Sequence, residues 1–222
     1  DYISAFENTL NSNRLGNFAS RSYLDYIERD TFIDHLLINA FTKNVDALRL
    51  SAFFYKPQNQ KIHAGPVWDF DRSMDSYDGR DDATGTWYGT GDATQYFNYI
   101  WWGWLAQDPD FAQAFYDRWA VLRAGPLSPA GLDDIVLPMG DEIHNSANGL
   151  GSAAVRDATR WTANAPRSGG YPAEVQHLLT WVKNRAAWMD RRAINGTLLP
   201  EPPIIGGSPS SATLSGTGTL YY

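Results

Sequence analysis

The segment RDTFIDHLLINAFTKN, residues 29–44, constrains the fold more than any other part of the chain. Phe32, Ile33, Leu36, Leu37, Ala40 and Phe41 recur at steps of three and four, which is the helical period, and they give a wide apolar stripe. Asp30 or Thr31 can cap its start. The period breaks at Asn44-Val45-Asp46, and the pattern changes to SAFFYK, a turn at Gln58-Asn59-Gln60, then KIHAGPVWDF. Two β-prone runs around a polar turn predict a β-hairpin.

The remaining pattern is mostly helical, so the expected class is mostly α with one hairpin (α+β). Residues 1–10 read as a short amphipathic helix that stops in Asn-Ser-Asn-Arg-Leu-Gly. Residues 72–93 carry Gly79, Gly85, Gly89 and Gly91 among Asp, Ser and Thr without periodicity, which predicts a long loop of the kind that usually serves function. Helices are expected in TQYFNYIWWGWLA from Thr94, and in DPDFAQAFYDRWAVLRAG, with Asp108 as cap and Pro109 in the first turn. One more is expected within 129–162 and one over 172–194, the latter started by Tyr171-Pro172 and ended at Asn195-Gly196. PEPPIIGGSPSSATLSGTGTLYY then reads as a linker running into a first strand. A boundary is placed near residue 198, giving a domain over 1–197 and, over 198–222, a linker with the truncated start of a following β-domain.

Composition narrows the function classes. With 222 residues, 43% hydrophobic and 14% aromatic, the chain can bury a substantial core. A formal charge of -7 disfavours a nucleic-acid binder, which needs clustered Lys and Arg, and it leaves cation binding open. Zero cysteines exclude disulfides, thiolate metal sites and a Cys nucleophile without fixing a compartment. No apolar run approaches the roughly 18 residues of a membrane span. The start at Asp1, with neither Met nor a basic leader, reads as a segment of something longer.

GPVWDFD, residues 65–71, sets Asp69 between Trp68 and Phe70 and places Asp71 two residues on. An ionised carboxylate among aromatics is costly to bury unpaired. Either a strand end carries Asp69 and Asp71 on a wet face, or the pair belongs to a metal site. Asp46 stands just before the hairpin and the pair just after it, and a hairpin returns the chain to its starting edge. Carboxylates at its two ends can therefore meet, as two-carboxylate phosphate chemistry requires. Trp68 and Phe70 read first as core residues. The acid-rich run Asp69, Asp71, Asp75, Asp78, Asp81 and Asp82 has Met74 and Arg80 where a Ca²⁺ loop of EF-hand type needs Gly and Glu, so it reads as solvated. His35, His63, His144 and His177 lie far apart and read as structural or surface residues.

The strings NVDALRLSAFFYK and KIHAGPVWDFD, with YDRWAVLRAGPLS, RDATRW and WVKNRAAWMDRR further on, resemble the CotH family, the atypical spore-coat protein kinases, over about residues 1–195. The resemblance implies the C-terminal lobe of an atypical protein-kinase-like fold. It also implies transfer of the ATP γ-phosphoryl group to Ser or Thr of a protein acceptor. By it, Asp46 accepts or orients the hydroxyl proton, and Ser51 stands five residues later where ordinary kinases have Asn. Asp69 occupies the metal-binding place of a DFG-type element, Asp71 supplies a further ligand for Mg²⁺ or Mn²⁺, and Trp68 faces the nucleotide side or the core. A Lys-bearing small lobe would lie upstream, so this segment alone is expected to be weak or inactive. Two alternatives stay open: a non-catalytic cell-surface or spore-coat module, and a Ca²⁺-stabilised structural domain. The tail resembles the start of a chitobiase-like β-domain, and an extracellular, cell-surface or spore-coat setting is expected.

Overall fold

The computed structural model describes residues 1–48, 50–88, 96–145, 152–162, 166 and 169–192, together with the backbone of 204–208 and 211–215. Helix α1 (Tyr2–Leu15) starts at Asp1, whose carboxylate accepts from Ser4 N, and ends at Gly16. It runs past the expected stop because Asn13 turns inward. There its Oδ1 accepts from Tyr23 N (3.0 Å) and its Nδ2 donates to Ser22 Oγ (3.3 Å). A residue that favours helix ends when exposed is here held by tertiary hydrogen bonds.

Helix α2 (Arg29–Thr42) is preceded by Glu28, which makes no side-chain cap, so neither Asp30 nor Thr31 caps it. Thr31 instead donates to Glu28 O (2.8 Å) and accepts from Ala64 N (3.1 Å), pinning the hairpin to the helix. Phe32, Ile33, His35, Leu36, Leu37, Asn39, Ala40, Phe41 and Thr42 are all buried, so α2 is covered on most of its circumference. That is why its stripe is so wide.

The hairpin pairs β1 (Phe54–Tyr55) with β2 (His63–Ala64), Phe54 opposite Ala64 and Tyr55 opposite His63. Asn59 takes the left-handed turn position (φ 59°) that Asn tolerates. Ile62 also bridges to Ile27, which ties the second strand to the approach to α2. The Gly65-Pro66 peptide beyond β2 is cis.

A 3₁₀ turn (Tyr96–Asn98) leads to α3 (Ile100–Leu105); Thr94 and Gln95, where helix is also expected, lie outside the described residues. Helix α4 (Pro109–Arg123) has its expected cap, Asp108, accepting from Asp110 N. Asp108 is fully buried and also takes Arg21 Nε (2.9 Å) and the Tyr23 hydroxyl (2.7 Å). The single helix expected within 129–162 is two, α5 (Pro129–His144) and α6 (Ala153–Arg160). Helix α7 (Gly170–Met189) starts before Pro172 and stops short of Asn195. Strands β3 (Ile204–Ser208) and β4 (Ser211–Ser215) pair antiparallel, and the boundary expected near 198 lies outside the described residues. No described helix is long and apolar enough to cross a membrane.

Around α2 the core is aromatic. Phe54 lies edge-on to Trp101 (5.1 Å), and Phe32 packs on Trp102 (5.3 Å). The ring of His35 stacks flat on Trp102 (5.5 Å, 4°). On the other side Arg185 of α7 is fully buried between Trp87 (5.4 Å) and Trp188 (5.0 Å). Its guanidinium donates to Ala40 O (2.7 Å) and Phe41 O (3.2 Å) at the end of α2, and to Thr84 O (2.9 Å) in the loop above. Lys43, also fully buried, donates to Ala83 O (2.6 Å) and Thr86 Oγ1 (3.1 Å). Burial, with Arg185 nearby, pulls the Lys43 ammonium down to about 8. Carbonyl dipoles in place of carboxylates hold both cations, which clamps the 76–88 loop onto α2.

Arg185→Met keeps volume but strips the donors from several buried carbonyls, so urea unfolding should show a loss on the order of 3 kcal/mol with an unchanged m-value. A second outcome concerns His35, whose pKa burial lowers to about 4. The unfolded chain, with a His pKa of about 6.5, therefore takes up this proton first as pH falls. The contribution of neutral His35 is full above pH 6.5 and is lost progressively down to about pH 4, by on the order of 3 kcal/mol. His35→Phe should lose correspondingly less stability between pH 7 and pH 4.5.

Candidate active site

The site begins where α2 ends. Lys43 takes the left-handed conformation (φ 53°) that stops the helix. The chain then lies against the strand exit: Val45 N donates to Arg72 O (3.2 Å), and Met74 N donates to Thr42 O (2.9 Å). A tight turn comes next, in which Leu50 N and Ser51 N both donate to Asp46 O (3.0 Å each). This turn swings Ser51 back toward Asp46, and Ser51 Oγ donates to Asp69 Oδ2 (3.3 Å). Asp46, Ser51 and Asp69 are thus one neighbourhood, joined by the turn and by a side-chain hydrogen bond. Asp71 is exposed and lines an adjoining cavity of about 800 Å³ between the 71–78 segment and α7, walled there by Tyr171, Glu174 and His177.

Asp69 has φ 62°. A non-glycine residue in this region is strained, although Asp tolerates it better than most, and such residues persist where surrounding bonds over-determine them. The overdetermination is visible. Asn44, fully buried, donates from Nδ2 to Asp69 O (3.1 Å) and to Asn39 Oδ1 (3.3 Å), while its Oδ1 accepts from Asp46 N (3.3 Å). Tyr96 OH donates to Asn44 O (3.1 Å). Arg72 stands over the site, 3.7 Å from Asp46 Oδ2 and 3.6 Å from Asp78 Oδ2. Arg80 hydrogen-bonds Asp78 and, with Arg72, holds its carboxyl below the usual range.

Two expectations need correction. Trp68 is not a core residue: it is 60% exposed and meets the exposed Phe53 edge-on at 6.3 Å. The Val67 and Asp69 side chains are exposed as well, because the chain leaves the β2 pleat at Gly65 and no longer alternates. Phe70 is half-buried. The acidic loop is not simply solvated either. Asp81 is fully buried and accepts from Ser76 N (2.8 Å) and Ser76 Oγ (3.1 Å), and Asp75 hydrogen-bonds His177. Its carboxylates are largely engaged with protein partners.

The sequence does not single out Asn44, Arg72 or Phe53. Asn44 reads there only as the end of a helical period, and nothing in a single sequence distinguishes a buried bridging amide from a helix-stop residue. Phe53 does carry a signal, since alternation in SAFFYK puts it on the face opposite Phe54.

The donors Ser51, Asp69 and Asp71 are all oxygen, the set that hard divalent cations prefer. Among the described residues no group of three His, Cys, Asp or Glu side chains is placed to hold a metal. No curated protein and no solved structure matches the chain. The family model described as CotH kinase protein matches residues 1–189, and the chain belongs to that family.

Proposed function

We propose that the chain carries the phosphoryl-transfer centre of a protein kinase that moves the ATP γ-phosphoryl group to a Ser or Thr hydroxyl of a protein acceptor. The observation that supports this most is the Ser51 to Asp69 hydrogen bond, closed over the Asp46 turn. It gathers a candidate base and candidate metal ligands from opposite ends of a hairpin. Asp46, half-buried on a short turn, is suited to orient an acceptor hydroxyl and receive its proton. Asp69 and Asp71, with Ser51, would hold Mg²⁺ or Mn²⁺. That ion would supply charge neutralisation between the β- and γ-phosphates.

The chain's own residues define the rest of the site. Trp68 and Phe53 offer two exposed aromatic faces beside Asp69, a platform against which a nucleotide base can stack. Arg72 is close enough to Asp46 to steady its carboxylate and exposed enough to meet phosphate oxygens. The cavity beside Asp71 gives an acceptor segment room to lie next to the reacting hydroxyl. An extracellular or cell-surface setting is the one we propose for this activity.

Substitutions in the full-length protein separate the roles. Asp46→Asn should keep nucleotide affinity within about threefold and lower transfer by about 100-fold or more, because proton acceptance matters in the transition state and little in the ground state. Asp69→Asn should weaken Mg²⁺-dependent ATP binding and transfer together. Radiolabelled ATP with a Ser-containing acceptor reads transfer, and calorimetry reads binding. Wild-type transfer by Asp46→Asn removes it from the chemistry, and a wild-type protein that binds ATP yet transfers nothing with Mg²⁺ or Mn²⁺ favours a non-catalytic surface module.

A further inference from the structure

We infer that Asn44 is the positioning residue of the site: its single side-chain amide sets where Asp46 and Asp69 stand relative to each other. The inference rests on the phosphoryl-transfer reading for its catalytic consequence, although its geometric content does not.

The Asn44 carboxamide has one accepting and one donating arm, and the two reach segments far apart in sequence. Oδ1 takes the Asp46 N–H (3.3 Å), and Nδ2 gives a proton to Asp69 O (3.1 Å), 25 residues further on. The orientation is forced, since a backbone N–H can only donate and a backbone carbonyl can only accept. No other side chain of this size offers both functions rigidly. Aspartate keeps the acceptor and loses the donor, and leucine has neither.

Asn44 is itself held. It is fully buried, its N–H donates to Asn39 O (3.1 Å), its carbonyl takes the Tyr96 hydroxyl (3.1 Å), and Nδ2 also reaches Asn39 Oδ1 (3.3 Å). Asn39 in turn donates to His35 O (2.8 Å) within α2. The amide is therefore anchored to the buried helix and reaches outward to both carboxylate-bearing segments. One of these, at Asp69, is in a backbone conformation that is unfavourable without support. Removing the donor at Asp69 O should let residues 68–73 relax away from φ > 0, which moves the Asp69 carboxylate while Asp46 and Asp69 both remain in the chain.

The test compares Asn44→Ala, Asn44→Asp and a control, Asn13→Ala, in the full-length protein. Asn13 is a buried amide on α1 whose hydrogen bonds go to Tyr23 and Ser22, away from Asp46 and Asp69. Amide hydrogen exchange should speed by about tenfold or more in 68–73 for both Asn44 variants and stay unchanged there for Asn13→Ala, measured well below each melting temperature. Turnover should fall by at least about tenfold with Asn44→Ala and the ATP KM should rise with it, because the Asp69 carboxylate that moves is the one assigned to the metal, and Asn44→Asp should behave likewise despite keeping its acceptor. If the Asn44 variants lose protection across the molecule but not selectively in 68–73, Asn44 is an ordinary fold residue and the inference is wrong. If local exchange speeds while turnover is unchanged, the positioning role in catalysis is overturned. If wild type transfers no phosphoryl group, the kinase reading fails by itself, and the selective exchange result still decides whether Asn44 sets the geometry.

Discussion

A helix that ends inside a protein must find partners for its last carbonyl groups, and the C-terminus of α2 meets that requirement in full. Lys43 N and Asn44 N donate to Asn39 O, Arg185 to Ala40 O and Phe41 O, and Met74 N to Thr42 O. Each of the final four carbonyls is thereby bonded, where a solvent-facing helix would leave them to water. The partners come from three places: the chain just after the helix, the loop after the hairpin, and α7. Satisfying one buried helix end thus draws together the segments that carry Asp46, Asp69 and the Trp87 to Trp188 cluster.

The cation chemistry at this end is unusual in one respect. Arg185 and Lys43 are neutralised by carbonyl and hydroxyl dipoles, while the acidic side chains nearby serve other positions. Burial accordingly lowers both, Arg185 to about 9 and Lys43 to about 8. Such groups are expensive to bury and tolerate little displacement, so they rigidify the loop they hold. A rigid base beneath Asp46 and Asp69 is what electrostatic and positional catalysis needs, because reacting groups must be placed before reaction rather than reorganised during it.

Much of this is legible in the chain. The α2 stripe, the hairpin with its Gln58-Asn59-Gln60 turn, and the Asp108-Pro109 start of α4 come from periodicity and cap chemistry, although the paired strands are shorter than the pattern implies and the second ends at Ala64. The proximity of the hairpin's two ends comes from topology. The hidden part is polar and buried. Arg185 and Lys43 would be assigned to a wet face by any pattern that equates charge with solvent, and Asp81 sits in a run that looks uniformly exposed. Trp68 fails in the opposite sense: aromatic identity argues for burial, but the chain leaves the strand geometry at Gly65 and turns it outward. Between α5 and α6 the sequence reads Asn-Ser-Ala-Asn-Gly-Leu-Gly-Ser over 145–152, a run of turn residues that is the available signal, and Ser152 caps α6 (Val155 N donating to its hydroxyl, 3.3 Å).

One buried helix end fixes the two-carboxylate site to which we assign metal and phosphate. A crystal structure of the full-length protein with Mg²⁺ and a non-hydrolysable ATP analogue tests that assignment most directly. The expected result is a metal ligated by Asp69 and Asp71, the γ-phosphate facing Asp46, and an Asn44 amide unchanged between Asp46 N and Asp69 O. A nucleotide bound elsewhere, or a metal that engages neither Asp69 nor Asp71, would contradict it.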